Sequence, residues 1–249
     1  MGLENFRENY IENHLGNILE RVRPKELIFY NVDTQYDFMY QSLIMMDGST
    51  FNGTLAIPGA ELIVYNLEQL TAYAAKKELR TVNTADWHTK DSKEFSDEPD
   101  FIATFPAHCL MDTKGAEFIT ATRPKNPYVI DWQDSDFDPK DMLKYRNIVV
   151  YKDTFDVFSG PSKPHIKKVI DTIRPISAVV YGVATNVCVN DAVNGLLKSG
   201  VDVYVVTDAI KELPGSKLDE IFGNWKDTAK DYNRNLAFTT TDKVLQMYY

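Results

Sequence analysis

The chain of 249 residues sets 36 acidic against 27 basic side chains, a formal net charge of −9, and with no Lys/Arg cluster this excludes nucleic acid as a partner class. Its 44% of hydrophobic residues suffice for one large core, but no apolar run reaches membrane-spanning length, so no membrane partner is expected. The opening MGLENFRENYIENHLG is charged and lacks the apolar stretch of a secretion signal, Phe6 stands where a myristoylation site at Gly2 needs Ser or Thr, and the two cysteines, Cys109 and Cys188, then read as free thiols of a cytoplasmic protein.

In chain order, Phe6, Tyr10, Ile11, Leu15, Ile18 and Leu19 predict an amphipathic helix over residues 4–20, within an N-terminal extension of residues 1–25. Glu26–Val32 (ELIFYNV) has the length and composition of a buried strand, and ends in Asp33-Thr34-Gln35-Tyr36-Asp37-Phe38. Leu62, Ile63, Leu67, Leu70 and Ala74 mark one face of a helix that follows Pro58-Gly59 and ends near Lys77. Leu79–Ala85 is a second strand, ending in Asp86-Trp87-His88. Residues 91–106 read as a long loop, and long loops in compact domains are usually functional. Residues 120–145, with three prolines and four acidic residues between Asp131 and Asp138, read as a surface excursion around one short strand, Tyr128–Asp131. Then alternate a strand (Asn147–Tyr151), a helix (Pro164–Ile173), a strand (Ala178–Tyr181), a helix opening at Cys188, a strand (Val201–Val206), a helix within Lys217–Lys230 and a short strand near Leu236–Thr239. Repeated strand–helix units predict a single α/β domain over residues 1–249, with a mainly parallel sheet between helices.

Reactive side chains collect at strand ends: Asp33, Asp86 with His88, Lys152 and Cys188. In a parallel sheet these ends share one edge, where open α/β sheets bind ligands. Cys188 opens a helix whose stripe is Val189, Ala192, Val193, Leu196 and Leu197; the positive end of the helix favours thiolate, although a buried cysteine acting as a small hydrophobe fits the same stretch. Asp33 could exchange a proton with the thiol, and Lys152 could hold the anions together, although Lys152 equally fits a surface lysine at a strand end. Asp37 reads as a turn cap. Asp86 and His88, two apart in an extended segment, project to the same side, and with His108 they make a ligand set that suits Zn, Mn or Fe. A further oxygen ligand could come from Glu94, with Asp91 or Asp97 as rivals. His14 and His165 fall in helical surface patterns, and Cys109 reads as packing.

The set Asp33-x-Gln35-x-Asp37-Phe38, Asp86-Trp87-His88, Phe105-Pro106-Ala107-His108-Cys109, Tyr151-Lys152 and Gly182-Val183-Ala184-Thr185-Asn186-Val187-Cys188-Val189 resembles the isochorismatase-like cysteine hydrolases, most of all their nicotinamidases, from about Leu27 to about Ile210. The resemblance implies a three-layer α/β/α fold with a six-stranded parallel sheet and an Asp33–Lys152–Cys188 triad. It implies a cis Val183–Ala184 peptide that aims the Ala184 and Cys188 N–H groups at an oxyanion. It further implies one divalent metal (zinc, or manganese or iron) on Asp86, His88 and His108, with Glu94 where some members have histidine, and a homo-oligomer. Phe38, Trp87, Phe105, Phe158 and Val183 are the expected substrate-binding residues. The activity implied is hydrolysis of nicotinamide to nicotinate and ammonia through a Cys188 thioester. Alternatives are another small amide or ureide such as carbamoylsarcosine, or a non-catalytic binding scaffold.

Overall fold

The computed structural model describes residues 26–247; the helix predicted over residues 4–20 lies outside them. One sheet contains β1 (Leu27–Val32), β4 (Arg80–Asp86), β5 (Tyr128–Ile130), β6 (Asn147–Lys152), β7 (Ser177–Val183), β8 (Asp202–Lys211) and β9 (Leu236–Thr239), while β2 (Leu43–Ile44) and β3 (Thr50–Phe51) form a separate antiparallel pair. The large sheet runs β5-β6-β4-β1-β7-β8-β9, and each neighbouring pair in it is parallel. It has seven strands, not six. β5 pairs in register with β6 from Tyr128–Ile148 to Ile130–Val150, so the short strand of the 120–145 excursion is an edge of the central sheet. That excursion is not wholly superficial, because Ile130 and Met142 are fully buried.

The two-residue period of the strands divides the core in two. Ile28, Tyr30 and Val32 of β1 and Ala178 and Val180 of β7 face one hydrophobic cluster, whereas Leu27, Phe29, Val179, Tyr181 and Val183 face the other. Helices α4 (Lys163–Ile173), α5 (Cys188–Lys198) and α6 (Leu218–Asp231) cover the first cluster. On the second lies α2 (Val64–Lys76), preceded by a 3₁₀ turn at Ala60–Ile63. The predicted stripe of α5 is observed: Val189, Ala192, Val193, Leu196 and Leu197 are all buried, the valines and leucines each contributing about 1.5–3 kcal/mol relative to exposure.

Two expectations require correction. Leu62 does not share the buried face of Ile63, Leu67, Leu70 and Ala74; it is 78% exposed, because it lies in the 3₁₀ turn, whose tighter winding shifts its phase from that of the α-helix. His165 is buried rather than superficial, with its ring 6.3 Å from that of Phe137. The short elements α1 (Tyr36–Met39), α3 (Pro139–Met142) and α7 (Thr241–Leu245), with the β2–β3 pair, had no counterpart in the periodicity.

The register of β7 against β8 shifts between Val180 and Gly182. Gly182 has φ +121°, and a Cβ there would stand 2.0 Å from the Val32 carbonyl oxygen. Gly200 also has a positive φ, +84°, but meets nothing within 4 Å. Gly182→Ala should therefore lose about 2–5 kcal/mol in urea unfolding, and Gly200→Ala only about 1–2 kcal/mol, since the first adds a backbone clash to the conformational strain both share.

Candidate active site

The strand order sets four side chains in sequence across the carboxyl edge of the sheet: Lys152 ends β6, Asp86 ends β4, Asp33 follows β1, and Cys188 opens the helix after β7. Asp86 and Lys152 are direct register partners, so their side chains leave the same face of adjacent strands. Asp33 turns out of β1 with φ 47°, a left-handed conformation that aspartate tolerates. The strand order departs in both directions from β1, which places Asp33 and Cys188 at the topological switch where such sheets form their crevice.

Lys152 is fully buried and is the hub of the group. Its ammonium lies 2.9 Å from Asp33 Oδ2, in close contact with Asp86 Oδ1, and 3.9 Å from Cys188 Sγ. The lysine is thus no surface residue at a strand end. Asp33 receives a second bond from the Thr84 hydroxyl at 2.6 Å. Gln35 clamps the end of β4: its Oε1 accepts the Asp86 N–H at 2.7 Å, while its Nε2 donates to the carbonyls of Asp86 at 2.7 Å and Ala116 at 2.8 Å.

Electrostatics follow from this packing. Burial would depress Lys152, but the charges of Asp33, Asp86 and Cys188 outweigh it and hold the ammonium well above its usual range. Burial likewise pushes Asp86 up, yet the Lys152 charge and the adjacent His108 and His88 imidazoles bring it well below the usual carboxylate range. Burial raises Asp33 despite Lys152, and burial raises the Cys188 thiol well above its ordinary value, with the negative charges of Asp33 and Asp86 adding to the effect. A reluctant thiol therefore sits beside a carboxylate whose basicity is increased, an arrangement suited to moving a proton between them.

Beyond Asp86 lie the other proposed ligands. One ligand atom from each of Asp86, His88 and His108 lies within 4.8 Å of the others, and all three residues are buried. His108 Nδ1 is 2.7 Å from the Pro106 carbonyl; a carbonyl only accepts, so Nδ1 carries hydrogen and Nε2 presents a lone pair. That Nε2 stands 3.5 Å from Asp86 Oδ2. His88 Nδ1 is 2.9 Å from Asp153 Oδ1, and its buried Nε2 has no hydrogen-bond partner. Glu94 Oε1 accepts the Phe155 N–H at 2.7 Å while its buried Oε2 is without a hydrogen-bond partner, and burial, with the Asp86 charge, raises this carboxyl to about 7. Nitrogen lone pairs and carboxylate oxygens converging out of water fit a divalent cation.

Asp86, Glu94 and His108 face an apolar cleft that is lined also by Phe38, Leu55, Ile57, Phe105, Phe155, Ala184, Val187, Cys188 and Leu213. The cleft brings Phe38 and Phe105 together with Cys188. It does not include Trp87, which stacks on Tyr151 at 4.4 Å, nor Phe158, packed against the first core, nor Val183, buried in the second. Leu55, Ile57, Phe155 and Leu213 were not anticipated, because they stand in loops without periodicity. The Val183–Ala184 peptide is cis, and the N–H groups of Ala184 and Cys188 donate to no backbone carbonyl among the described turns and caps. Asp37 does not cap its own turn; its carboxylate instead accepts the backbone N–H groups of Cys109 at 2.7 Å and Thr54 at 3.1 Å.

A family description of the isochorismatase domain matches residues 29–229, most of the chain. The chain belongs to the isochorismatase family. A curated relative, the nicotinamidase/pyrazinamidase of Mycobacterium tuberculosis, is 33% identical over 66 residues, which span 26% of this chain and only 35% of that protein. Among solved structures, the pyrazinamidase of Pyrococcus horikoshii in complex with zinc aligns with a TM-score of 0.61 at 21% identity over 86% of this chain and 99% of its own. The nicotinamidase/pyrazinamidase of Acinetobacter baumanii gives 0.65 at 17% identity over 89% and 99%, and the N-carbamoylsarcosine amidase of Thermoplasma acidophilum 0.58 at 20% over 87% and 97%. At these identities the likeness is one of fold.

Removing the central cation should be costly. Lys152→Met leaves two buried carboxylates facing each other, and urea unfolding of the metal-free variant should show a loss of about 3–5 kcal/mol. A loss under about 1 kcal/mol would mean that the ammonium is not what holds Asp33 and Asp86 together.

Proposed function

We propose that the chain is a metal-dependent cysteine amidohydrolase acting on nicotinamide, yielding nicotinate and ammonia. The observation that carries this assignment is that one apolar cleft is lined by Cys188 and by Asp86 and His108, two members of a donor set of one carboxylate and two imidazoles completed by His88 behind them. Such a cleft suits a flat ring with a polar atom at one end and an amide at the other. The relatives named above, whose descriptions include nicotinamidase activity and zinc, support the same chemistry.

Asp33 takes the Cys188 thiol proton as sulfur attacks the amide carbonyl, and the Ala184 and Cys188 N–H groups receive the oxyanion. Asp33 returns that proton to nitrogen as the carbon–nitrogen bond breaks, releasing ammonia and leaving the acyl group on sulfur. Water then adds to the thioester, its proton passing to Asp33 and on to the departing thiolate, which frees the carboxylic acid. Lys152 stays charged throughout and limits the build-up of negative charge on Asp33 and sulfur. Asp86, His88 and His108, with Glu94 as the further oxygen donor, would hold one divalent ion (zinc, or manganese or iron), which when bound supplies an electrophilic anchor for the ring nitrogen. Phe38 and Phe105, joined by Phe155, form the walls against the ring.

Purified protein incubated with nicotinamide, pyrazinamide and N-carbamoylsarcosine should release ammonia fastest from nicotinamide. Cys188→Ala should abolish release, by roughly three orders of magnitude or more, while keeping the far-ultraviolet dichroism and metal content of the parent. Substantial ammonia from that variant rules out Cys188 as nucleophile. Elemental analysis of the parent should find about one equivalent of a divalent transition metal, as a single site of three or four ligands requires; Glu94→Ala should weaken retention against a chelator, and unchanged retention removes Glu94 from the site.

A further inference from the structure

The cleft wall has two kinds of apolar residue. Phe38, Ile57 and Phe105 are buried against the core and set its depth. Leu55, Phe155, Val187 and Leu213 are only partly buried and form its mouth. Phe155 is bonded through its N–H to Glu94, and Val187 directly precedes the helix of Cys188, so neither can change without disturbing the proposed machinery. Leu213 differs. It stands in the segment 212–217 between β8 and α6, with its N–H accepted by Asn186 Oδ1 at 2.9 Å and its carbonyl bonded by the Ser216 hydroxyl. Both backbone groups are thus held by side chains on either side, and the Leu213 side chain is presented to the cleft as a fixed wall. Asn186 belongs to the turn between Ala184 and Cys188, so the position of this wall is tied to the position of the nucleophile.

We propose that Leu213, positioned by Asn186, is the specificity-determining residue that limits how large a ring the cleft accepts. The assignment presupposes the amidase chemistry proposed above and adds to it a size limit set from a loop outside the triad and the donor set. A leucine side chain on a backbone held at both its N–H and its carbonyl would meet a group fused to or projecting from a single ring before it met the smaller ring itself. A floppy loop would yield instead, which is why the Asn186 bond matters as much as the side chain it positions.

The test compares kcat/KM for nicotinamide with that for 5-methylnicotinamide, 6-methylnicotinamide and the benzo-fused quinoline-3-carboxamide. In the parent protein nicotinamide should be strongly preferred. Leu213→Ala should shift the ratio towards at least one enlarged ring by about tenfold or more, the range one or a few methylene groups command in an apolar pocket, and the milder Leu213→Val should shift it less, in the same direction. Asn186→Ala should move the ratio the same way by loosening the wall, chiefly through KM for the larger amides, whereas Asn186→Asp retains an oxygen acceptor and should keep the parental ratio. If the parent hydrolyses nicotinamide but no ratio moves in either Leu213 variant, the size limit lies elsewhere and the inference fails alone. If the parent hydrolyses no amide on this panel, the amidase assignment fails and the inference falls with it.

Discussion

The site depends on one buried ammonium. Lys152 sits between Asp33 and Asp86 with no solvent exposure to speak of, and burying a charge is tolerated only when partners replace its water. One positive charge between two negative ones leaves a deficit of positive charge in a region closed to water. The neighbouring lone pairs of His88 and His108 and the unpartnered oxygen of Glu94 sharpen that deficit rather than relieve it. A divalent cation beside Asp86 would answer it, so that the lysine and the donor set would be two halves of one electrostatic arrangement.

The same arrangement separates the roles of the two carboxylates. Asp86 is pulled down by Lys152 and both imidazoles and stays ionised. Asp33 is paired with Lys152 and bonded by Thr84, yet burial outweighs both and pushes it up. Two aspartates a strand apart are thus driven to opposite basicities through their surroundings alone. Gln35 keeps them distinct by fixing the end of β4 against the segment that leaves β1.

Much of this was legible in the residues. The alternation of apolar runs and helical stripes named the sheet and α5, because long amphipathic periods survive in sequence. The elements it omitted, such as Tyr36–Met39 and Thr241–Leu245, are too short to complete a stripe, and Leu62 was misassigned because a 3₁₀ turn does not keep the α-helical phase. Strand ends named Asp33, Asp86, Lys152 and Cys188 before any geometry. What the pattern could not convey was the company each side chain keeps. Trp87 follows Asp86 and precedes His88, yet alternation along the strand sends it to the opposite side, onto Tyr151. Leu55 and Leu213 reach the cleft from irregular loops, where only tertiary contacts decide direction. The count of six strands came from the resemblance alone, whereas the residues had already marked the short strand at Tyr128 that pairs with β6 as the seventh.

The register between β4 and β6 has a further implication. Asp86 and Lys152 face each other through ladder partners that begin at Thr81 and Asn147, so the distance between a reacting group and its neighbour is measured out by backbone hydrogen bonds. The length of the segment between the strands, residues 120–145 included, does not touch that measure. A single residue gained or lost inside either strand would invert one side chain and break the charge pattern outright. Spacing between strands is therefore free and count within them is fixed: the carboxyl edge of this sheet is a ruler whose divisions are peptide units.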